Sequence, residues 1–160
     1  MPAARPGLTL TAAPGLVTMA GIIDERADLV SALSAAMASE VVIDLAGVTF
    51  INSLGVRQWI RFLATARDRR IAVRLRRVSE PMIHQLNMID AARVSARVES
   101  FFAPYACDRC GREDTALLDA VTDSASLSRT GAPSLPCPEC SGVMVLNDFP
   151  QRYFLFLFEP

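Results

Sequence analysis

Hydrophobic and polar positions follow two alternating rhythms over the first hundred residues. Residues 16–20 (LVTMA) form a short apolar run that stops at Gly21 and predicts a strand. Over 27–37, Leu29, Leu33 and Met37 recur every fourth residue, the spacing that lines one face of a helix. Residues 41–45 (VVIDL) are a β-branched run broken only by Asp44, which predicts a strand covered on both faces. A helix is expected over about 54–67, with Val56, Trp59, Ile60 and Leu63 turned inward and Arg57 and Arg61 outward, one turn apart. Residues 71–75 predict another strand. Ser79 stands where it can cap the next helix, whose first turn tolerates Pro81 and whose apolar side is Met82, Ile83, Leu86 and Ile89. Residues 94–102 read as a further strand. Trp59 and Phe50 are expected in the core.

Strands alternating with helices predict an α/β layer with a mainly parallel or mixed sheet. Near residue 103 the rhythm changes: Cys, Pro, Gly, Ser and Thr become frequent and the helical period stops. The expected organisation is a leader over 1–7, an α/β domain over 8–102, and a small unit with an aromatic tail over 103–160. That tail, Tyr153 to Phe158, is too apolar to stand free in water. It predicts either a strand or a short helix entered through Asp148 and Pro150. Either form would pack on the small unit, on the main sheet or on another subunit, so a homo-oligomer is among the assemblies it allows.

The stretch from Val41 to Val56 reads as a buried strand, a short turn, a second apolar segment and a polar helix entry. Asn52 or Ser53 can accept hydrogen bonds from the first helical turn, and such a helix start also favours anions. Asp44, Val48, Phe50, Ile51, Ser53 and Gly55 fall into a pattern, Asp-Leu-x-x-Val-x-Phe-Ile-(Asp/Asn)-Ser-x-Gly, that resembles the signature of STAS domains. That fold is shared by bacterial anti-sigma factor antagonists and sulfate-transporter tails. The resemblance implies a STAS-like mixed sheet with helices over roughly 8–102. It also implies a regulatory surface that binds protein at Asn52, Ser53, Leu54 and Gly55, and Arg57 and Arg61, which follow on the same helix, are placed to form a basic rim around it. In the antagonists the motif carries a second hydroxyl that a partner kinase phosphorylates, and the added charge switches binding off. Here Leu54 stands at that position and Asn52 stands where the family has Asp. The usual phosphoswitch is therefore expected to be missing, with Ser53 either a cap or a displaced acceptor.

All four cysteines fall between 107 and 140, as two Cys-x-x-Cys turns, Cys107/Cys110 and Cys137/Cys140, separated by 26 residues. Two residues between thiolates let a tight turn aim both sulfurs at one ion, and Gly111 and Gly142 let the backbone curl behind them. Four thiolates close a tetrahedral zinc shell and leave no open position, which predicts a structural Zn2+ site. The pattern resembles zinc ribbons, with strands supplied by residues 114–120 and 143–146. The rival reading is redox-active thiols. His84, far from the cysteines in sequence, is read as a surface or capping residue rather than a ligand.

Charge and composition narrow the function. The chain has 160 residues and a formal net charge of −1, but the distribution is uneven. Residues 1–100 hold 12 Arg and 9 acids, whereas 101–160 hold 4 Arg and 8 acids. The alternative functions are a nucleic-acid-binding regulator acting through the zinc ribbon, which the acidic charge of that unit disfavours, a thiol redox sensor, and a ligand-binding STAS domain, for which the helix start at Ser53 is the one support. Eight arginines lie between Arg57 and Arg77 with Asp68 as the one acid, a solvated face or a docking surface for an acidic partner. No apolar run approaches the ~20 residues that span a bilayer, and no signal-peptide core precedes Pro14, so the expected location is the cytoplasm. Neither a Ser/His/Asp set, a phosphate-cradling loop nor an open metal site is present, and no catalytic residue is assigned. The expected role is a non-enzymatic regulatory module. The partners that the resemblance implies are an anti-sigma factor or related kinase-like ATPase, a sensor assembly, or a transporter ATPase.

Overall fold

The β-branched residues Val41, Val42 and Ile43 lie in one long strand, β3 (Glu40–Ile51), at the centre of a five-stranded sheet. The computed structural model describes residues 7–36, 38–129 and 131–158. Of the expected leader only Gly7 is among them, and Met37 of the first helix is outside them. β2 (Leu16–Ile23) and β4 (Ala72–Arg76) flank β3, both parallel to it. β1 (Thr9–Ala13) pairs antiparallel with β2 at one edge, and β5 (Ala96–Val98) pairs parallel with β4 at the other. The sheet is mixed, with α1 (Leu29–Ala36), α2 (Ser53–Asp68) and α3 (Glu80–Met88) packed against it.

Two strand expectations change. No turn follows residue 45: β3 runs on through Gly47 to Ile51, and its register against β2 slips between Thr18 and Ala20 and between Gly21 and Ile22. Strand alternation then buries Ile51 and sends Phe50 to the other face, where it is 46% exposed rather than in the core. The expected strand over 94–102 divides. β5 closes the first sheet, whereas β6 (Ser100–Cys107) opens a second, because Glu99 bonds back to Leu75 while Ser100 onward pairs with later chain. Val94 lies in neither strand and is exposed.

Helix faces follow the apolar period with small shifts. α1 buries Leu29, Ala32, Leu33 and Ala36. α2 buries Val56, Trp59, Phe62, Leu63 and Ala66, so Phe62 takes the place expected for Ile60, which is half-buried. The Trp59 indole N–H donates to the Ala92 carbonyl at 2.7 Å, which satisfies a fully buried donor. Ser79 precedes α3 as expected, but its hydroxyl makes no capping bond. Pro81 has no N–H to offer, and the Met82 N–H bonds the Ser79 backbone carbonyl at 3.0 Å instead.

The second sheet is antiparallel, in the order β7-β6-β9-β8, with β7 (Glu113–Asp119), β8 (Leu135–Pro136) and β9 (Val143–Leu146). The aromatic tail is helical, in two short pieces, α4 (Pro150–Tyr153) and α5 (Leu155–Phe158). Tyr153, Phe154 and Phe156 are buried, and the last two meet Phe101 edge-on at centroid distances of 5.9 and 5.0 Å. Asn87 of α3 holds this tail at two points: its amide donates to the Tyr153 carbonyl at 2.9 Å and accepts from the Phe156 N–H at 2.8 Å. Both sheets and the tail contribute to one connected core. Among the described residues, no helix is long and apolar enough to cross a membrane.

Candidate docking surface and metal centre

The start of α2 is built by close backbone approach. The Asn52 N–H bonds the Ile23 carbonyl at 3.2 Å, which brings the end of β2 against the first turn of the helix. A Cβ on Gly55 would stand 2.0 Å from that same carbonyl oxygen, so only glycine fits. Of the two candidate caps Asn52 is the one used: its Oδ1 accepts from the Gly55 N–H at 2.7 Å. The Asn52 amide also donates to Glu25 at 3.4 Å. An aspartate there would set a second carboxylate beside Glu25, which gives the departure from the family's Asp a local reason.

Ser53 is the first helical residue and is exposed, as is Leu54 at 42%. Leu54, Arg57 and Arg61 follow one another at three and four positions, so they share an outward face. Neither arginine makes a hydrogen bond or ion pair among the described residues, and both are exposed. The rest of the arginine run divides. Arg74 pairs with Glu40 and Glu99, and Arg76 and Arg77 converge on Asp44.

Asp44, the first residue of the motif, is 1% exposed and holds β3 to the end of β4. Its Oδ2 accepts from Arg76 Nε at 3.0 Å and from Arg77 Nε and Nη2 at 2.9 and 2.7 Å, while Oδ1 accepts from the Ala46 N–H at 3.2 Å. Burial raises this carboxyl's pKa, but the bonds from Arg77, Ala46 and Arg76 outweigh it and hold the group below its ordinary value. The sequence singled out Asp44 without its two partners. Nothing in the local pattern links residues 32 and 33 positions apart, and only the β3–β4 pairing brings them together.

The two Cys-x-x-Cys turns join the strands of the second sheet, the first between β6 and β7 and the second between β8 and β9. Pairing of β6 with β9 brings the turns together, with Cys107 opposite Met144. All four sulfurs lie within 4.8 Å of one another, and this group could hold a metal ion. Cys107 and Cys140 are 3.6 Å apart, and Cys110 and Cys137 are 3.7 Å apart. Sulfurs bound at about 2.3 Å to a tetrahedral ion stand ~3.8 Å apart, so these residues fit such an ion. Backbone N–H groups of Cys110 and Arg109 point at Cys107 Sγ and lower its pKa to about 6, while the Gly142 N–H points at Cys140 Sγ at 3.2 Å. A Cβ on Gly142 would sit 2.9 Å from Cys107 Sγ and 2.7 Å from Arg109 Cβ, and Gly111 has φ +72°. Both glycines therefore serve the turns behind the sulfurs.

The model of the STAS domain family matches residues 17–102, more than half of the chain. The chain belongs to the STAS family. Comparison with the curated proteins and with the solved structures returns no match. The STAS match ends at Phe102, inside β6, so the strand that leads to the first cysteine turn begins in matched sequence. Along the STAS motif, Asn52 to Arg61 all lie on the first two and a half turns of α2 or at its cap.

Proposed function

We propose that this protein is a non-enzymatic regulatory module of the bacterial cytoplasm that binds a partner protein through the start of α2 and carries a structural zinc ion. STAS domains generally mediate protein–protein interactions. The observation that carries the reading is the exposed face formed by Leu54, Arg57 and Arg61 beside the Asn52 cap, an apolar contact flanked by two guanidiniums that make no hydrogen bond or ion pair among the described residues. Such a face suits an acidic partner surface, and the preferred partner class is an anti-sigma factor or related kinase-like ATPase. A sensor assembly and a transporter ATPase are the other classes. Residues 8–102 form the docking unit in this reading, and 103–160 form the zinc ribbon and the tail that secures it. Cys107, Cys110, Cys137 and Cys140 bind Zn2+, whose role is to hold two hairpins together, and no step of chemistry is assigned to it.

Photo-crosslinking from position 54 of the native protein, followed by mass spectrometry, tests the docking surface. A single ATPase-class protein should be captured, and Arg57→Glu/Arg61→Glu should lose it. Capture that is unchanged in that folded double variant would place the interface elsewhere. Because leucine cannot take phosphate, the partner should leave position 54 unmodified. Leu54→Ser restores a hydroxyl at the exposed first turn and is expected to create an acceptor, read by phosphate incorporation with the captured kinase. Phosphate on Ser53 of the unaltered chain would instead show a switch displaced by one residue.

A further inference from the structure

β5 is the terminal strand of the five-stranded sheet, and among the described residues β4 is the only strand paired with it. Further along, the Glu99 carbonyl accepts from the Ala120 N–H at 2.8 Å, so the chain around β7 covers the edge only beyond β5. An uncovered edge presents unpaired backbone groups to any extended chain that reaches it. Two grooves border this edge. One, of about 450 Å3, is lined by Val94, Ala96 and Val98 together with Phe156 and Leu157 of α5. The other, of about 170 Å3, has Ile60, Leu63 and Ala64 of α2 on its wall. They meet at Val94 and Ser95, which line both, and Val94 is 44% exposed. A strand added to a sheet edge turns its side chains alternately to either face, so an edge bordered by two apolar grooves suits an extended peptide.

Charge selects the kind of peptide. Arg67, Arg93 and Arg97 line the two grooves, and no acid or histidine does. Arg93 is buried and engaged by Asp90 and by the Leu86 carbonyl, each at 2.8 Å. Arg67 lies 3.9 Å from Asp68, with both side chains largely exposed. Arg97, at the middle of β5, is exposed and makes no hydrogen bond or ion pair among the described residues. Its neighbour across the strand pair, Arg74, engages Glu40 and Glu99, so those two acids are already taken. A second copy of this edge would set Arg97 against Arg97, and like charges directly opposite weaken strand pairing. We propose that the β5 edge docks an acidic, extended segment of a partner protein. Its backbone pairs with residues 95–98, a carboxylate faces Arg97, and apolar side chains enter the grooves beside Phe156 and Ile60. The site uses neither Arg57 and Arg61 nor the cysteines, so it stands or falls independently of the docking proposal at the start of α2.

The test is an amide-shift titration of the full chain by NMR with three synthetic peptides: acetyl-Val-Glu-Val-Glu-Val-amide, its counterpart with lysine in place of glutamate, and the acidic peptide with every backbone nitrogen methylated. The acidic peptide should shift the amides of Ser95 to Val98 saturably, with Kd of about 1 mM or tighter. The lysine peptide meets Arg97 with like charge and the methylated one has no backbone donor, so each should bind at least about fivefold more weakly. Arg97→Glu removes no bond among the described residues, so the remaining spectrum should stay in place. That variant should bind the acidic peptide about fivefold more weakly and the lysine peptide more tightly. Any of four results overturns the proposal: no saturable shift at these amides with the acidic peptide, equal affinity for the acidic peptide and either control, unchanged affinity in Arg97→Glu, or self-association of the chain that shifts the same amides without peptide.

Discussion

Gly55 and Asp44 show how single positions of the STAS motif act through distant chain. Gly55 leaves room for the Ile23 carbonyl, and a methyl group 2.0 Å from that oxygen can be accommodated only by moving β2 away from α2. Gly55→Ala should therefore lower stability by about 2–4 kcal/mol, read as a lower urea midpoint with little change in slope. An alanine variant as stable as the parent would mean that the β2–α2 approach is looser than this. Asp44 carries a pH signature. Its native pKa is held below the ordinary value near 3.9, so the native state binds the proton less readily than the unfolded chain does. Its stabilisation is complete above that ordinary value and drains away as pH falls toward the native pKa. Asp44→Asn should flatten this acid limb and cost about 2–4 kcal/mol at neutral pH, because it leaves Arg76 and Arg77 without a counter-charge. Parallel stability curves for the two proteins between pH 3 and 7 would contradict the assignment.

At the scale of elements, α2 divides its labour by face. Val56, Trp59, Phe62, Leu63 and Ala66 are committed to the core, which leaves Leu54, Arg57 and Arg61 outward. Replacing both arginines with glutamate changes the face by four charge units and touches no buried contact, so the variant should fold with an unchanged thermal midpoint. Like-charge contact with an acidic partner costs several kcal/mol, enough to abolish a micromolar complex. Titration calorimetry with the crosslinked partner should show that loss, and it should be steepest at low salt. α3 and the tail make a second functional pairing. Asn87 bonds both ends of the tail's break, and Phe154 is fully buried against Phe101. Phe154→Ala should cost about 3–5 kcal/mol.

For the whole molecule, the cysteine-bearing sheet and the STAS sheet share more than a linker. β6 begins beside Val78, carries Phe101, Ala103 and Tyr105 into the common core, and ends at Cys107. β9 returns along β6 from the second cysteine turn and leads into the tail through the Asn147–Pro104 bond. Protein purified without added metal should contain about one zinc per chain. On the proposed zinc reading a bound ion links the two hairpins, so Cys107→Ser should release β8, β9 and the tail together. Circular dichroism should then retain the five-stranded sheet, while hydrogen exchange at Asn87 and α3 rises because the tail no longer covers them. Cysteines recovered as disulfides, with no zinc, would replace the metal reading with the thiol redox one.

The hydrophobic rhythm, the motif and the cysteine spacing determined a good deal by themselves. Those signals are local: Leu29 and Leu33 mark their own helix face, Val41 to Ile43 mark a buried strand, and each Cys-x-x-Cys marks its own turn. The STAS family was legible for the same reason, since its signature lies within one strand, one cap and one helical turn. Tertiary structure decided what depends on pairing between distant segments. It split residues 94–102 between two sheets, because Glu99 pairs with Leu75 and the next residues pair with β7. It turned Phe50 outward, since β3 continues past the expected turn. It committed Arg74, Arg76 and Arg77 to Glu40, Glu99 and Asp44, although in sequence they belong to the same basic run as Arg57 and Arg61. It also left Ser79 without a partner, a consequence of how α3 begins. Periodicity reports which side of its own element a residue occupies, but which other element covers that side depends on contacts between segments far apart in the chain.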